Sequence, residues 1–412
     1  MNNMFVKLKD IADLTVGYVG NMTKEYIETG VPFFRSLNIK PFYIDKSDLL
    51  YISSEFNEKI KKSKLMTGDL VIVRTGQPGT CCVVPQEFDG CNCSDLVIVR
   101  PDKKLVNPYY LEAYINFMAQ KQINNHQVGA IQKHFNVGSA KEMLVYLPDR
   151  EKQEKIANLV RRINSKIELN NKINTELESI ANTLYNYWFL QFEFPNEEGK
   201  PYKSSGGKMV WNEELKREIP EGWSIKILDD IAEMITKSIN PEENQTYEYY
   251  SIPSFDDFGM PIMEVGGNID SNKYCVPNES ILVSKLNPQF KRLWYVGKAT
   301  EFSICSTEFI PFISRNETKE FLYSVLNSEA FYQFMVQSSS SSTGSRKRMQ
   351  PELMKSFIIC YPNDIKIIQK YCEAIQGILE KILAGKRENQ ELTSLRDFLL
   401  PLLMNGQVGF KE

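Results

Sequence analysis

The sequence predicts an α+β chain: two domains with mixed sheets, separated by an antiparallel two-helix coiled-coil spacer and related by a pseudo-twofold internal repeat. Three observations lead there. At 412 residues the chain exceeds what one hydrophobic core organises, so two or more domains are expected. Its motifs recur after about 215 residues, the mark of an internal duplication. Each copy ends in a long run of seam residues spaced 4-3-4-3, the heptad pattern of a coiled coil. An apolar content of 42% and a charged content of 25% are ordinary for a globular protein and exclude wholesale disorder, a collagen-like chain and a membrane protein.

The repeat is legible element by element. Leu8, Asp10, Ile11 and Ala12 return as Leu228, Asp230, Ile231 and Ala232, each time opening a region of strands and turns. The apolar run Leu70–Val73, closed by Arg74, corresponds to 281–283 with Lys285 behind it, and such runs read as buried strands. Polar loops around Gly129 and Gly344 fall in register. Each leads to a strand that ends in proline, at Pro148 and Pro362, and a long helix begins directly afterwards.

In the first helix Ile156, Val160, Ile163, Ile167, Asn170, Asn174, Leu177, Ala181, Leu184 and Trp188 form the seam. Its repeat is Tyr371, Ile375, Ile378, Ile382, Gly385, Asn389, Leu392, Arg396, Leu399 and Leu403, with Gly385 and Arg396 as weak positions. A helix over 151–189 is roughly 58 Å long, too long to bury its stripe on one small domain. It needs a second helix, and the repeat supplies one. Asn174 and Asn389 share a heptad position, which suits a polar device that fixes register. Connectivity favours an antiparallel pair, because a parallel pair would make the connector run back along the whole helix. The boundaries are then 1–148 for the first domain, 149–193 for the first helix, 194–222 for a Gly-, Pro-, Lys- and Glu-rich connector, 223–362 for the second domain and 363–412 for the second helix and tail.

Several function classes are excluded. No apolar run approaches the ~20 residues of a membrane span, and the first ten residues lack a signal-peptide layout, so a cytoplasmic protein without a membrane partner is expected. Eight cysteines in such a chain read as reduced thiols. Cys81, Cys82, Cys91 and Cys93 cluster, but not as paired C-x-x-C knuckles, and no metal is expected. Asn107-Pro108-Tyr109-Tyr110 and Asn287-Pro288-Gln289-Phe290 resemble the base-holding loop of an adenine methyltransferase without its second proline or an accompanying glycine fingerprint. The first reads as a helix start and the second as a loop after a strand. Glu198-Gly199-Lys200 has the acidic-x-Lys form of a nuclease but sits in the connector, and no Walker A sequence occurs. His126 and His134 are the only histidines, with no acid–nucleophile pair in their loop. The chain by itself is expected to be catalytically inert.

The order of domain, long helix, domain, long helix resembles the specificity subunits of type I restriction–modification systems over essentially the whole chain. Local stretches are similar to that family too: Gly30-Val31-Pro32 leading to Arg35, Leu147-Pro148 leading through Glu151 and Gln153 to Ile156-Ala157, the connector from Phe194 through Lys200-Pro201-Tyr202 to Ile219-Pro220-Glu221-Gly222-Trp223, and the ending Leu402-Leu403-Met404-Asn405-Gly406. The resemblance implies two target-recognition domains, each reading half of a bipartite site in double-stranded DNA, with the helices setting the gap. It implies two modification subunits that carry S-adenosylmethionine and methylate adenine, and restriction subunits that use ATP and Mg for translocation and cleavage, with no cofactor in this chain. The alternatives are a methyltransferase or type IIG-like enzyme with its own catalytic site, and a coiled-coil scaffold with no role on DNA.

Base edges are read by Arg, Lys, Asn or Gln on presented loops, and phosphates are held by cations, hydroxyls and backbone amides. In the first domain the residues of that kind are Arg35, Asn38 and Lys40, then Arg74, Thr75 and Gln77, then Gln127, Gln132, Lys133 and His134. In the second they are Lys285, Asn287, Gln289, Lys291 and Arg292, then Ser345, Arg346, Lys347 and Arg348 behind a serine tract. A net charge of −3 predicts weak DNA binding by the chain alone and strong binding once two modification subunits enclose the duplex. A spacer of roughly 58 Å suits half-sites about one DNA turn apart, near 34 Å.

Overall fold

The computed structural model describes residues 4–119, 122–123, 135–315, 318–339 and 347–410. The chain forms two compact units, one of Met1–Ile167 with Leu392–Glu412 and one of Glu168–Glu391. Each long helix contributes residues to both units.

In the first unit a four-stranded antiparallel sheet runs in the order Ala12–Val16, Leu96–Pro101, Leu70–Val73, Cys81–Val83. The run Leu70–Val73 is apolar throughout because both faces of the sheet are covered. Leu70 and Ile72 point into a core built with the helix Pro108–Phe117, whereas Val71 and Val73 point into a second cluster with Phe34 and Ile98. The same alternation parts the cysteines: Cys81 joins the first cluster, and Cys82, Cys91 and Cys93 join the second. Burial pushes all four thiols well above the usual cysteine range, which keeps them protonated. Among the described residues no group of three or more His, Cys, Asp or Glu side chains is placed to hold a metal ion.

The second unit repeats the plan. Its antiparallel sheet has the order Ala232–Met234, Phe309–Ser314, Ile281–Ser284, Leu293–Tyr295. Ile281 and Val283 face one cluster with the helix Lys319–Asn327, while Leu282 faces another with Trp294. Each unit also holds a mixed sheet with a parallel pairing, Asn92–Cys93 beside Val31–Phe34 in the first and Ser303–Cys305 beside Thr246–Tyr250 in the second. Two-stranded ribbons, Met4–Lys7 with Leu144–Leu147 and Trp223–Ile227 with Ile358–Pro362, bring the start of each domain beside its end. The repeated Leu-x-Asp-Ile-Ala motif is buried at Leu8, Ile11, Ala12, Leu228, Ile231 and Ala232, so it recurs because it packs.

The long helices run Arg150–Tyr185, extended by a π-helical turn at Asn186–Leu190, and Ile365–Met404. In the first unit Ile156 and Val160 pack with Leu400, Leu403 and Met404, and Arg396 donates to the Asn164 side chain at 2.8 Å. In the second unit Asn170 donates to Asn389 at 2.9 Å and to Glu388 at 2.7 Å, Asn389 donates to Asn171 at 2.7 Å, and Lys386 pairs with Glu178 at 3.1 Å. Within each unit the contacts advance along one helix as they retreat along the other, so the pair is antiparallel. Ile163, Ile167, Leu177, Leu184, Ile378, Ile382, Leu392 and Leu399 are all buried or half-buried, as the heptads predict.

The polar pair needs correcting. Asn389 meets Asn170 and Asn171, not Asn174, because residues at equal places in the repeat do not face each other in an antiparallel pair. Asn174 lies against Gly385, where a Cβ would stand 2.7 Å from its Oδ1, so the weak seam position is the glycine that lets a polar side chain in. Arg396, the other weak position, lies over the rings of Phe42 at 4.8 Å and Phe117 at 5.5 Å. The connector is also more than a spacer. Phe194 stacks on Tyr202 at 4.6 Å and on Trp223 at 5.3 Å, and Met209–Asn212 pairs with Arg217–Pro220, so its aromatic residues join the core of the second unit.

Candidate nucleic-acid interface

In each unit the second and third strands of the repeat form a hairpin that ends in a basic loop. In the first the loop spans 74–80 between Leu70–Val73 and Cys81–Val83; in the second it spans 285–292 between Ile281–Ser284 and Leu293–Tyr295. A later stretch of the chain meets each loop. Phe135 N–H donates to the Arg74 carbonyl at 3.0 Å, and Met349 N–H donates to the Lys285 carbonyl at 2.9 Å, the same junction made twice. An acidic residue stands at the start of the neighbouring strand both times: Asp95 pairs with Arg74, and Glu308 pairs with Arg348 at 2.8 Å. Its hydrogen bond to the Glu308 carboxylate raises Arg348 above the ordinary arginine value.

In the first unit Thr75 and Gln77 are exposed on the hairpin, with Gly76 at φ 93° permitting the turn. Arg74 is more constrained, since its Nε also donates to the Phe135 carbonyl at 3.3 Å. Lys40 is half-buried on the short strand Ile39–Lys40, and the following Phe42 lines an open groove with Gln77, Pro78 and Arg396. Arg35 and Asn38 have a different job from the one their residue types suggest. Asn38 is fully buried and its amide donates to the Asp45 and Asp48 carbonyls at 3.1 and 3.2 Å, while Arg35 pairs with Asp48 at 2.7 Å. Both are committed to shaping a turn. Gln127, Gln132, Lys133 and His134 lie outside the described residues, as does His126.

In the second unit the hairpin and the basic segment come together. Asn287 N–H donates to the Lys347 carbonyl at 2.8 Å, Lys347 N–H donates back to the Asn287 side chain at 3.0 Å, and Leu286 bridges to Arg348. Gln289 and Lys347 are exposed at this end. Lys291 and Arg292 are held sideways: Lys291 bonds the Asn327 carbonyl and sits 4.9 Å from the Tyr332 ring centroid, and Arg292 makes a bidentate pair with Asp256 at 2.7 and 2.8 Å. Ser345 and Arg346 lie outside the described residues. Of the two methyltransferase lookalikes, Asn107 caps the helix Pro108–Phe117 and Asn287 begins the hairpin turn, as expected from a helix start and a loop.

The model of the type I restriction modification DNA specificity domain matches this chain twice, over residues 2–179 and 220–394. The chain belongs to that family. It is 25% identical over 429 residues to the MjaIX specificity subunit of a type I restriction enzyme from Methanocaldococcus jannaschii, covering 98% of this chain and 93% of the relative. It is 23% identical over 440 residues to the HindI specificity subunit from Haemophilus influenzae, covering 90% and 92%. The crystal structure of a type I system S subunit from M. genitalium has the same fold, with a TM-score of 0.60 at 14% identity, over 98% of this chain and 96% of that one. This specificity subunit accordingly recognises DNA, and the duplicated family match coincides with the duplicated hairpin junction.

Four residues of this region escaped the sequence. Asp95, Glu308 and Asp256 constrain its arginines, yet an acid beside a strand carries no sign that it faces a guanidinium from a distant loop. Phe290, at the tip of the second hairpin, stood in the sequence as part of a motif lookalike. Its exposure on a turn depends on the pairing of strands that flank it.

Proposed function

We propose that each unit reads one half of a bipartite double-stranded DNA site through its hairpin end, and that the helix pair sets the gap and carries two modification subunits. The observation that carries this is the repeated junction. The fold builds one presentation device twice and places different residues on its tips, Thr75-Gly76-Gln77 in one and Gln289-Phe290-Lys291 in the other. Two readers with different tips suit a site whose halves differ in sequence. The chain supplies recognition alone: methyl transfer from S-adenosylmethionine belongs to the modification subunits, and work driven by ATP and Mg to the restriction subunits.

The helices offer surfaces for such partners. Beside the buried seam, Leu169, Ile173, Ile180 and Tyr187 are exposed on the first helix at seam-like spacing, and Leu395 and Phe398 are exposed on the second. Apolar side chains in rows rather than singly mark protein contacts. Among the described residues no helix is long and apolar enough to cross a membrane. The function is tested by coexpressing the chain with modification subunits and mapping methylated adenines by long-read sequencing. Gln77→Ala is expected to change or weaken one half-site and Gln289→Ala the other. Both variants altering the same half, or neither altering any, contradicts the two-reader arrangement.

A further inference from the structure

The second hairpin carries one side chain that phosphate binding does not explain. Phe290 is 56% exposed, and its position is fixed by its surroundings. Its N–H donates to the Asn287 carbonyl at 2.9 Å, Pro288 within the turn is buried, and Asn287 is itself bonded to Lys347 through both backbone and side chain. Arg292, clamped by Asp256, stands 5.4 Å from the ring centroid. A largely bare aromatic ring is therefore held on a firm turn, with Lys285, Lys347 and Arg348 on the same loop and its neighbour. Cations there draw phosphates; the ring offers them nothing. A two-stranded antiparallel ribbon has the width to enter the major groove, where the apolar feature of the base edges is the C5-methyl group of thymine. The matching tip of the first unit, Thr75-Gly76-Gln77, has no aromatic residue.

We infer that Phe290 reads a thymine, packing its ring on the C5-methyl group in the half-site bound by the second unit. This rests on the hairpins being the DNA interface. Burying one methyl-sized group against the ring corresponds to about a fourfold gain in affinity. Once methylation mapping has defined the site, the assembled methyltransferase complex is titrated with duplexes in which each thymine of that half-site, on either strand, is replaced in turn by uracil, which lacks only the methyl group. One position is expected at which uracil weakens binding about fourfold with the natural chain, has no effect with Phe290→Ala, and has an intermediate effect with Phe290→Leu. A flat uracil scan, or a penalty that persists in Phe290→Ala, overturns the inference. Lys347→Ala and Gln289→Ala, measured alongside, separate the two levels: if they weaken or alter binding while the uracil scan is flat, the hairpin remains the interface and only the thymine contact is lost. If neither has an effect, the interface is misplaced and the inference falls with it.

Discussion

Glu112 offers a quantitative test of the packing in the first unit. Its carboxyl is fully buried beneath the hairpin, where it accepts the Val83 N–H at 2.7 Å, and burial pushes its pKa up to about 8 from an ordinary 4.5. The folded state thus retains a proton that the unfolded state has released, so stability contributed by this group is full below about pH 4.5 and is lost as pH rises towards 8. At about 1.4 kcal/mol per unit of pKa, the whole window is worth roughly 4–5 kcal/mol, and the step from pH 5.5 to 7.5 about 2–3 kcal/mol. Glu112→Gln keeps an oxygen for the Val83 amide and cannot ionise, so the slope due to this group should vanish. Tryptophan fluorescence is blind here, since Trp188, Trp211, Trp223 and Trp294 all belong to the second unit. Native-state hydrogen exchange read by mass spectrometry, over peptides covering Leu70–Val73, Cys81–Val83 and Pro108–Phe117, resolves the first unit directly. After correction for intrinsic exchange, the natural chain should lose protection between the two pH values and the variant should not. Equal protection at both pH values in the natural chain, or the same loss in both proteins, refutes the assignment of a neutral buried carboxyl.

Further outcomes follow from the helix pair. Asn170→Ala leaves Asn389 and Glu388 without their shared donor and should destabilise the second unit by about 1–2 kcal/mol; urea unfolding followed by tryptophan fluorescence measures it, and an unchanged midpoint removes the polar layer from the account. Four residues inserted after Asn170 add about 6 Å of helix, and should lengthen the tolerated gap by about one to two base pairs while leaving both half-sites unchanged. A matching insertion before Asn389 keeps the Asn170–Asn389 and Asn174–Gly385 contacts and should do the same with a smaller loss of stability. Methylation mapping reads both insertions, and altered bases with an unchanged gap contradict the ruler. Ile180→Glu places a charge in the exposed row on the first helix and should reduce copurification with modification subunits with no change in the chain's own melting. Full copurification would move the docking surface elsewhere.

The sequence by itself determined the elements whose logic is periodic or local. The heptad seam, the duplicated Leu-x-Asp-Ile-Ala motif, the buried strand closed by a basic residue and the helix start at Asn107-Pro108 each follow from spacing or local chemistry that one element must satisfy to bury its own face or its own backbone groups. Tertiary structure decided everything that depends on what lies opposite. Asn389 faces Asn170 because antiparallel helices pair residues by opposite displacement along the chain, which heptad position does not express. Asn38 looked like a base reader by type, but the turn that buries it depends on carbonyls at Asp45 and Asp48. The connector is Gly- and Pro-rich, yet Phe194, Tyr202 and Trp223 stack, since three rings at distant positions gain more by leaving water together than the chain loses by being ordered. Arg74 and Arg348 were legible as cations, and only the folded chain brings Asp95 and Glu308 to them. Hydrophobic spacing acts along the chain and can be read there; hydrogen bonds and ion pairs between distant segments act across it, at distances set by the packing of everything between.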